Sequence, residues 1–73
     1  MQQQITGYVC QWRHAEGGFS AHVTTHSEYD LRLWTTAALS DAYRERPQWL
    51  RLRGVLIGHW LIATAIEPAR TSA

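Results

Sequence analysis

A chain of 73 residues has room for one domain, and it buries only about 60% of the surface its unfolded form exposes, so its core must be small. A composition of 45% hydrophobic and 18% charged residues excludes a disordered segment. The formal net charge of +1 excludes attraction of nucleic acid by bulk electrostatics, leaving only a local basic patch to do so.

In chain order, Ile5–Arg13 is rich in β-branched and aromatic residues and ends in the turn-forming run His14–Gly18, which predicts a strand and a loop. Phe19–Thr25 sets Phe19, Ala21 and Val23 against Ser20, His22 and Thr24, the period of a half-buried strand, so a hairpin joins the two segments. Tyr29–Trp34 alternates again, with Tyr29, Leu31 and Leu33 on one side and Asp30, Arg32 and Trp34 on the other. Thr35 or Thr36 then caps a helix of about three turns that runs through Arg46 and is stopped by Pro47. Leu50, Leu52, Gly54 and Leu56 alternate with Arg51, Arg53 and Val55 in a fourth strand. Gly58 and His59 make a turn, Trp60–Ile66 supplies a fifth strand, and Glu67, Pro68 and Ala69 open a polar tail expected to fray. The expectation is a single domain over residues 1–73, ordered over about 4–68, with polar tails.

The most apolar stretch, Val55–Ile66, is broken by Gly58 and His59 and falls short of the roughly 20 residues that cross a bilayer, so no membrane partner is expected. Met1 is followed by three glutamines rather than by the basic and apolar start of a secretory signal. The single cysteine, Cys10, cannot staple a monomer. Together these features predict a reducing, cytoplasmic setting. All seven basic residues are arginine, which fits a GC-rich source and also suits planar recognition of phosphates and bases.

The order strand, strand, strand, helix, strand, strand resembles the OB-fold, a five-stranded Greek-key barrel. Ile5, Thr6, Gly7, Tyr8 and Val9 look like the first strand of nucleic-acid-binding OB domains, with Gly7 as the hinge that lets the strand coil around both halves of the barrel. Leu50–Leu56 resembles the fourth strand of that family, and Leu61–Pro68 the fifth. The resemblance is to small bacterial single-domain members and implies an all-β barrel with one short helix between strands three and four. It also implies an outer face that binds oligonucleotides, in a protein of the size of a bacterial, plasmid or phage accessory factor. The loops between strands one and two and between four and five are short, which argues against a long wrapped footprint. An SH3-like barrel or a mixed sheet with one packed helix shares the same element order.

If Ile5, Gly7, Val9, Phe19, Ala21, Val23, Leu31 and Leu33 point inward, alternation sends Tyr8, Cys10, His22, Thr24, Arg32 and Trp34 to one outer face. Aromatic faces there stack on bases and arginine pairs with phosphate, which suits single-stranded DNA or RNA. Tyr8 and Trp34 are the expected platforms, with His22, Thr24 and Arg32 as polar contacts and Arg13 at the rim. Arg51 and Arg53 form a second basic stripe, and Trp60 is an accessory or interface residue. The same residue types serve protein interfaces, so a protein-interaction or inhibitor module that docks a protein or closes a homodimer through this same face is the competing reading. Trp12 is expected to pack into the core after a bulge, Trp49 to cap the barrel bottom beside the helix, and Trp60 to be partly exposed.

Metal and catalytic readings are weaker. His14, His22, His26, His59 and Cys10 show neither CxxC nor HxxxH spacing, and His22 and His26 diverge on a strand. Cys10 beside His22 across the hairpin is a conceivable thiol and base, but the acidic residues fall mostly in turns and the helix, leaving no orienting third group. No enzyme activity and no cofactor are expected.

Overall fold

Alternation of inward and outward side chains builds the walls of the molecule, interrupted by register shifts between Cys10 and Arg13 and between Arg53 and Gly54. The computed structural model describes residues 2–69. Its elements are β1 (Gln2–Ala15), β2 (Gly18–Thr25), β3 (Asp30–Thr36), α1 (Ala37–Ser40) followed by a 3-10 turn (Asp41–Tyr43), β4 (Gln48–Ile57) and β5 (Trp60–Pro68). The strands close in a ring in the order β1, β2, β3, β5, β4 and back to β1. All neighbours are antiparallel except β3 and β5, which pair in parallel through Arg32–Trp60, Leu33–Leu61 and Trp34–Ile62. The Arg32 amide also donates to the His59 carbonyl at 2.8 Å, which ties the β4–β5 turn to β3. This is the connectivity of an OB-type Greek-key barrel. Among the described residues no helix is long and apolar enough to cross a membrane.

The interior is aliphatic: Val9, Ala21, Val23, Leu31, Leu33, Leu50, Leu52, Leu61 and Ala63 are buried together, with Ile5, Trp12, Tyr43, Leu56 and Ile66 packed around them. β1 serves two neighbours, pairing with β4 through Gln2–Val9 and with β2 through Gly7–Ala15. Gly7 lies where both pairings overlap. A Cβ there would come 2.5 Å from Val23 Cγ1 and 3.1 Å from the Thr24 carbonyl oxygen, so the closeness of the two walls requires glycine. The expected bulge falls between Cys10 and Arg13, with Gln11 at φ +59°, and it turns Trp12 onto the core.

Several boundaries differ from the sequence expectation. β1 begins at Gln2 because the glutamines pair with Arg53, Gly54 and Val55, and it runs past His14 to Ala15, leaving Glu16 and Gly17 as a two-residue turn. Both turn residues have positive φ, 42° and 79°, as a type I′ hairpin requires. Tyr29 stays in the exposed β2–β3 loop rather than starting β3. β5 extends through Glu67 and Pro68, which pair with Arg51 and Leu50, and the Ala69 amide donates to the Trp49 carbonyl at 3.2 Å, so these residues are held to the sheet; the tail beyond Ala69 lies outside the described residues.

The three-turn helix is one α turn and one 3-10 turn. Thr36 is its cap, accepting the Leu39 amide at 3.3 Å. Ser40 turns its hydroxyl back onto the Thr36 and Ala37 carbonyls at 2.9 and 3.3 Å, a competition with regular helix bonding. Tyr43 donates to the Ile66 carbonyl at 3.3 Å, which draws the chain onto the barrel before a further turn can form. Phe19, expected in the core, has the inward parity but sits at the barrel end, half-buried between the His14 ring (4.4 Å) and the Arg44 guanidinium (3.7 Å).

Candidate functional site

Register places the outward side chains of β1, β2 and β3 in three rows. Tyr8, Thr24 and Asp30 form the first, Cys10, His22 and Arg32 the second, and Arg13, Ser20 and Trp34 the third. All the residues expected on one outer wall are therefore on it. Tyr8, Arg13 and Arg32 are exposed, while Cys10, His22, Thr24 and Trp34 are half-buried.

The wall is not one aromatic platform. Tyr8 and Trp34 are two strands and two rows apart, roughly 17 Å at ordinary sheet spacings, so they cannot hold the same base. Between them is a polar knot: Asp30 Oδ1 lies 3.2 Å from His22 Nε2 and accepts from Thr24 Oγ1 at 3.3 Å. That carboxylate opposes phosphate binding beside His22 and Thr24. Arg32 reaches sideways to β5, with its guanidinium carbon 5.0 Å from the centroid of the half-buried Trp60 ring.

Trp34 is committed to the barrel as well as to its surface. Its indole N–H donates to the Ala15 carbonyl at 2.9 Å, across β2. The ring passes over Gly18, where a Cβ would lie 2.7 Å from Cζ2, and its cross-strand partner in the register is Ser20, which is 4% exposed although it faces outward. One face of this ring is thus held against the wall.

Trp49 does not cap the barrel bottom. Because Leu50 and Leu52 point inward, alternation puts Trp49 on the outer wall, opposite Tyr8 in the β1–β4 register. The Tyr8 and Trp49 rings have centroids 5.8 Å apart at an interplanar angle of 58°. His26 stacks on the same indole at 4.4 Å and 16°. Its loop is stiffened by the Glu28 amide bonding to the Thr25 carbonyl, by the Thr25 amide bonding to the Tyr29 carbonyl (both 3.0 Å), and by the Tyr29 amide bonding to Thr25 Oγ1 at 3.2 Å. The parity of Trp49 was readable from its aliphatic neighbours. The position of His26 was not, because it depends on the loop geometry, including Glu28 at φ +60°.

Arg51 and Arg53 follow Trp49 on the outer side of β4. Arg51 pairs with Glu67 at 2.9 Å, and Arg53 is exposed and makes no ion pair among the described residues. At the Trp60 end of these two strands the outward residues Val55, Ile57 and Ile62 are aliphatic: Val55 pairs with Ile62, and Ile57, opposite Trp60, is 63% exposed.

Cys10 is a free, half-buried thiol paired in register with His22, whose Nε2 is taken up by Asp30. Among the described residues no group of three His, Cys, Asp or Glu side chains is placed to hold a metal ion. No protein-family model, curated protein or solved structure matches the chain, so the geometry of this outer wall is the basis for assigning it a role.

Proposed function

We propose that this chain is a binding module for single-stranded nucleic acid, with the ligand carried on the outer wall of the barrel and recognised by ring stacking and by arginine. The observation that supports the reading is the gathering of Tyr8, His22, Arg32 and Trp34 on the outward side of three adjacent strands, bordered by Trp49, His26 and Trp60. Rings of this kind bind any base through its π-face, for roughly 1–3 kcal/mol per base, so little sequence preference is expected. With two-residue turns joining β1 to β2 and β4 to β5 and an acid on the wall, the footprint is short and the affinity modest.

The test is a titration of tryptophan fluorescence with a mixed-sequence single-stranded oligonucleotide at low salt, repeated at rising salt. A saturable change that weakens with salt supports the reading. No binding at low salt removes it.

The aliphatic strip of Val55, Ile57 and Ile62 favours a second reading, a protein-interaction or homodimer module. Sedimentation across a concentration series separates the two, since a dimer broken by Ile57→Arg, without oligonucleotide binding, belongs to the second alone.

A further inference from the structure

Resting on the nucleic-acid reading, we infer that the strand follows β4 rather than crossing β2 and β3, with a base on the Trp49 cluster and successive phosphates on Arg51 and Arg53. Trp49, Arg51 and Arg53 recur at every second residue of one strand, and the intervening Leu50 and Leu52 are fully buried, so all three project from the same wall. Their spacing along the strand is about 6.8 Å per pair of residues, a step at which neighbouring phosphates of an extended chain can each take one guanidinium.

The flanks complete the track. β1 sets Tyr8, Thr6 and Gln4 opposite Trp49, Arg51 and Arg53, while β5 sets Glu67 and Ala65 opposite the two arginines. Gln4, Arg51, Arg53, Ala65, Ile66 and Glu67 line a surface depression at this point. β4 is hydrogen-bonded on both sides, so the guanidiniums start from fixed positions. At its end the indole carries His26 stacked on it and Tyr8 tilted against it, a ready-made stack that a base extends from the exposed side of His26.

Charge favours this path. The β1–β3 wall offers Arg32, drawn toward Trp60, beside the carboxylate of Asp30. The β4 track offers two guanidiniums against one carboxylate, Glu67, which holds Arg51 at 2.9 Å and occupies the place a phosphate would take. Glu67 therefore acts as a built-in competitor for the ligand. Removing its charge frees Arg51 and strengthens binding, whereas an ion pair that only braced the sheet would weaken binding when broken.

The experiment uses the full chain and a fluorescein-labelled mixed-sequence single-stranded DNA, with anisotropy read between about 50 and 200 mM salt. Loss of two phosphate contacts lowers the slope of log K against log salt by about 1.4, at roughly 0.7 per contact on a single strand. The Arg51→Ala/Arg53→Ala double variant is expected to show this drop, and Arg51→Lys/Arg53→Lys to restore it. Glu67→Gln is expected to tighten binding about two- to five-fold, in line with removing one screened charge near the ligand. Trp49→Ala is expected to weaken binding about ten-fold with the slope unchanged. Thermal melts of each variant confirm that the folded chain is being measured.

If the wild-type chain binds while the double variant keeps its full slope and Arg32→Ala loses its own, the strand crosses β2 and β3. The β4 track is then wrong, but the function stands. A Glu67→Gln variant that binds more weakly also overturns the track. A wild-type chain that binds no DNA at low salt but captures acidic peptides overturns both readings.

Discussion

Trp34 joins the scaffold to the binding wall, and its replacement separates the two roles. Trp34→Ala removes the indole bond to the Ala15 carbonyl, worth about 0.5–1.5 kcal/mol. It also uncovers Gly18 by deleting a half-buried ring. A fully buried tryptophan costs about 3–5 kcal/mol when truncated, so half-burial implies about 2. The sum of about 3 kcal/mol lowers the melting temperature by roughly 12–24 °C at 4–8 °C per kcal/mol for a domain of this size. Trp34→Phe keeps a ring over Gly18 and loses the N–H, so about 1 kcal/mol and roughly 4–8 °C are expected. Circular dichroism melts of the three proteins, each paired with an oligonucleotide titration well below its own transition, read both quantities. In the titration both folded variants are expected to lose far less in affinity than in melting temperature. Equal melting temperatures for wild type and Trp34→Ala would refute the claim that the indole is pinned to the wall. Equal losses in the Phe and Ala variants would refute the division between ring and N–H.

Three other substitutions each test a single contact. Asp30→Asn takes the carboxylate out of the polar knot on the β1–β3 wall and is expected to raise oligonucleotide affinity up to about five-fold at low salt, the value of one charge at about 1 kcal/mol in water, measured by anisotropy. Thr35 is fully buried, and its hydroxyl has no hydrogen-bond partner among the described residues, so Thr35→Val is expected to stabilise the fold by about 1 kcal/mol in urea titration by relieving an unpaired polar group. Gly7→Ala forces a methyl against Val23 and the Thr24 carbonyl and is expected to cost about 1–3 kcal/mol in the same assay.

The barrel was legible because its strands face a dry interior on one side and solvent on the other, and that contrast writes a period of two into the chain. Val9, Val23, Leu31, Leu33, Leu50 and Leu52 report it directly, and once they are assigned inward the outer positions of Tyr8, His22, Arg32 and Trp34 have no freedom left. Alternation does not encode reach across strands. The ring of Trp34 extends over β2 to Ala15, and Arg32 leans to Trp60 through a parallel pairing that no local pattern specifies. The helix was overestimated because Leu39, Ala42, Tyr43 and Arg46 have helical spacing, whereas its length was decided by the Ser40 hydroxyl and by Tyr43 reaching Ile66. The stack of His26 on Trp49 joins a loop to a strand far along the chain and was outside the range of pattern reading.

Size explains why so many rings face outward. All nine residues of the buried cluster are valine, leucine or alanine, and Trp12 is only packed against that cluster. A barrel of only five strands has little interior volume to admit an indole, so Trp34, Trp49 and Trp60 must lie outside, where each either seals the wall or is available to a ligand. Their polar ends separate these uses. Trp34 has its N–H bonded to the backbone and its ring over a glycine, the arrangement of a seal. Trp60 lies under a guanidinium. Trp49 is held by other rings, one of them on an exposed loop, and it stands at the head of a strand that carries two arginines on the same side. Loss of the seal should therefore fall mainly on stability and loss of Trp49 mainly on affinity, which makes the contrast between these two tryptophans a sharper measure of where the ligand lies than either variant alone.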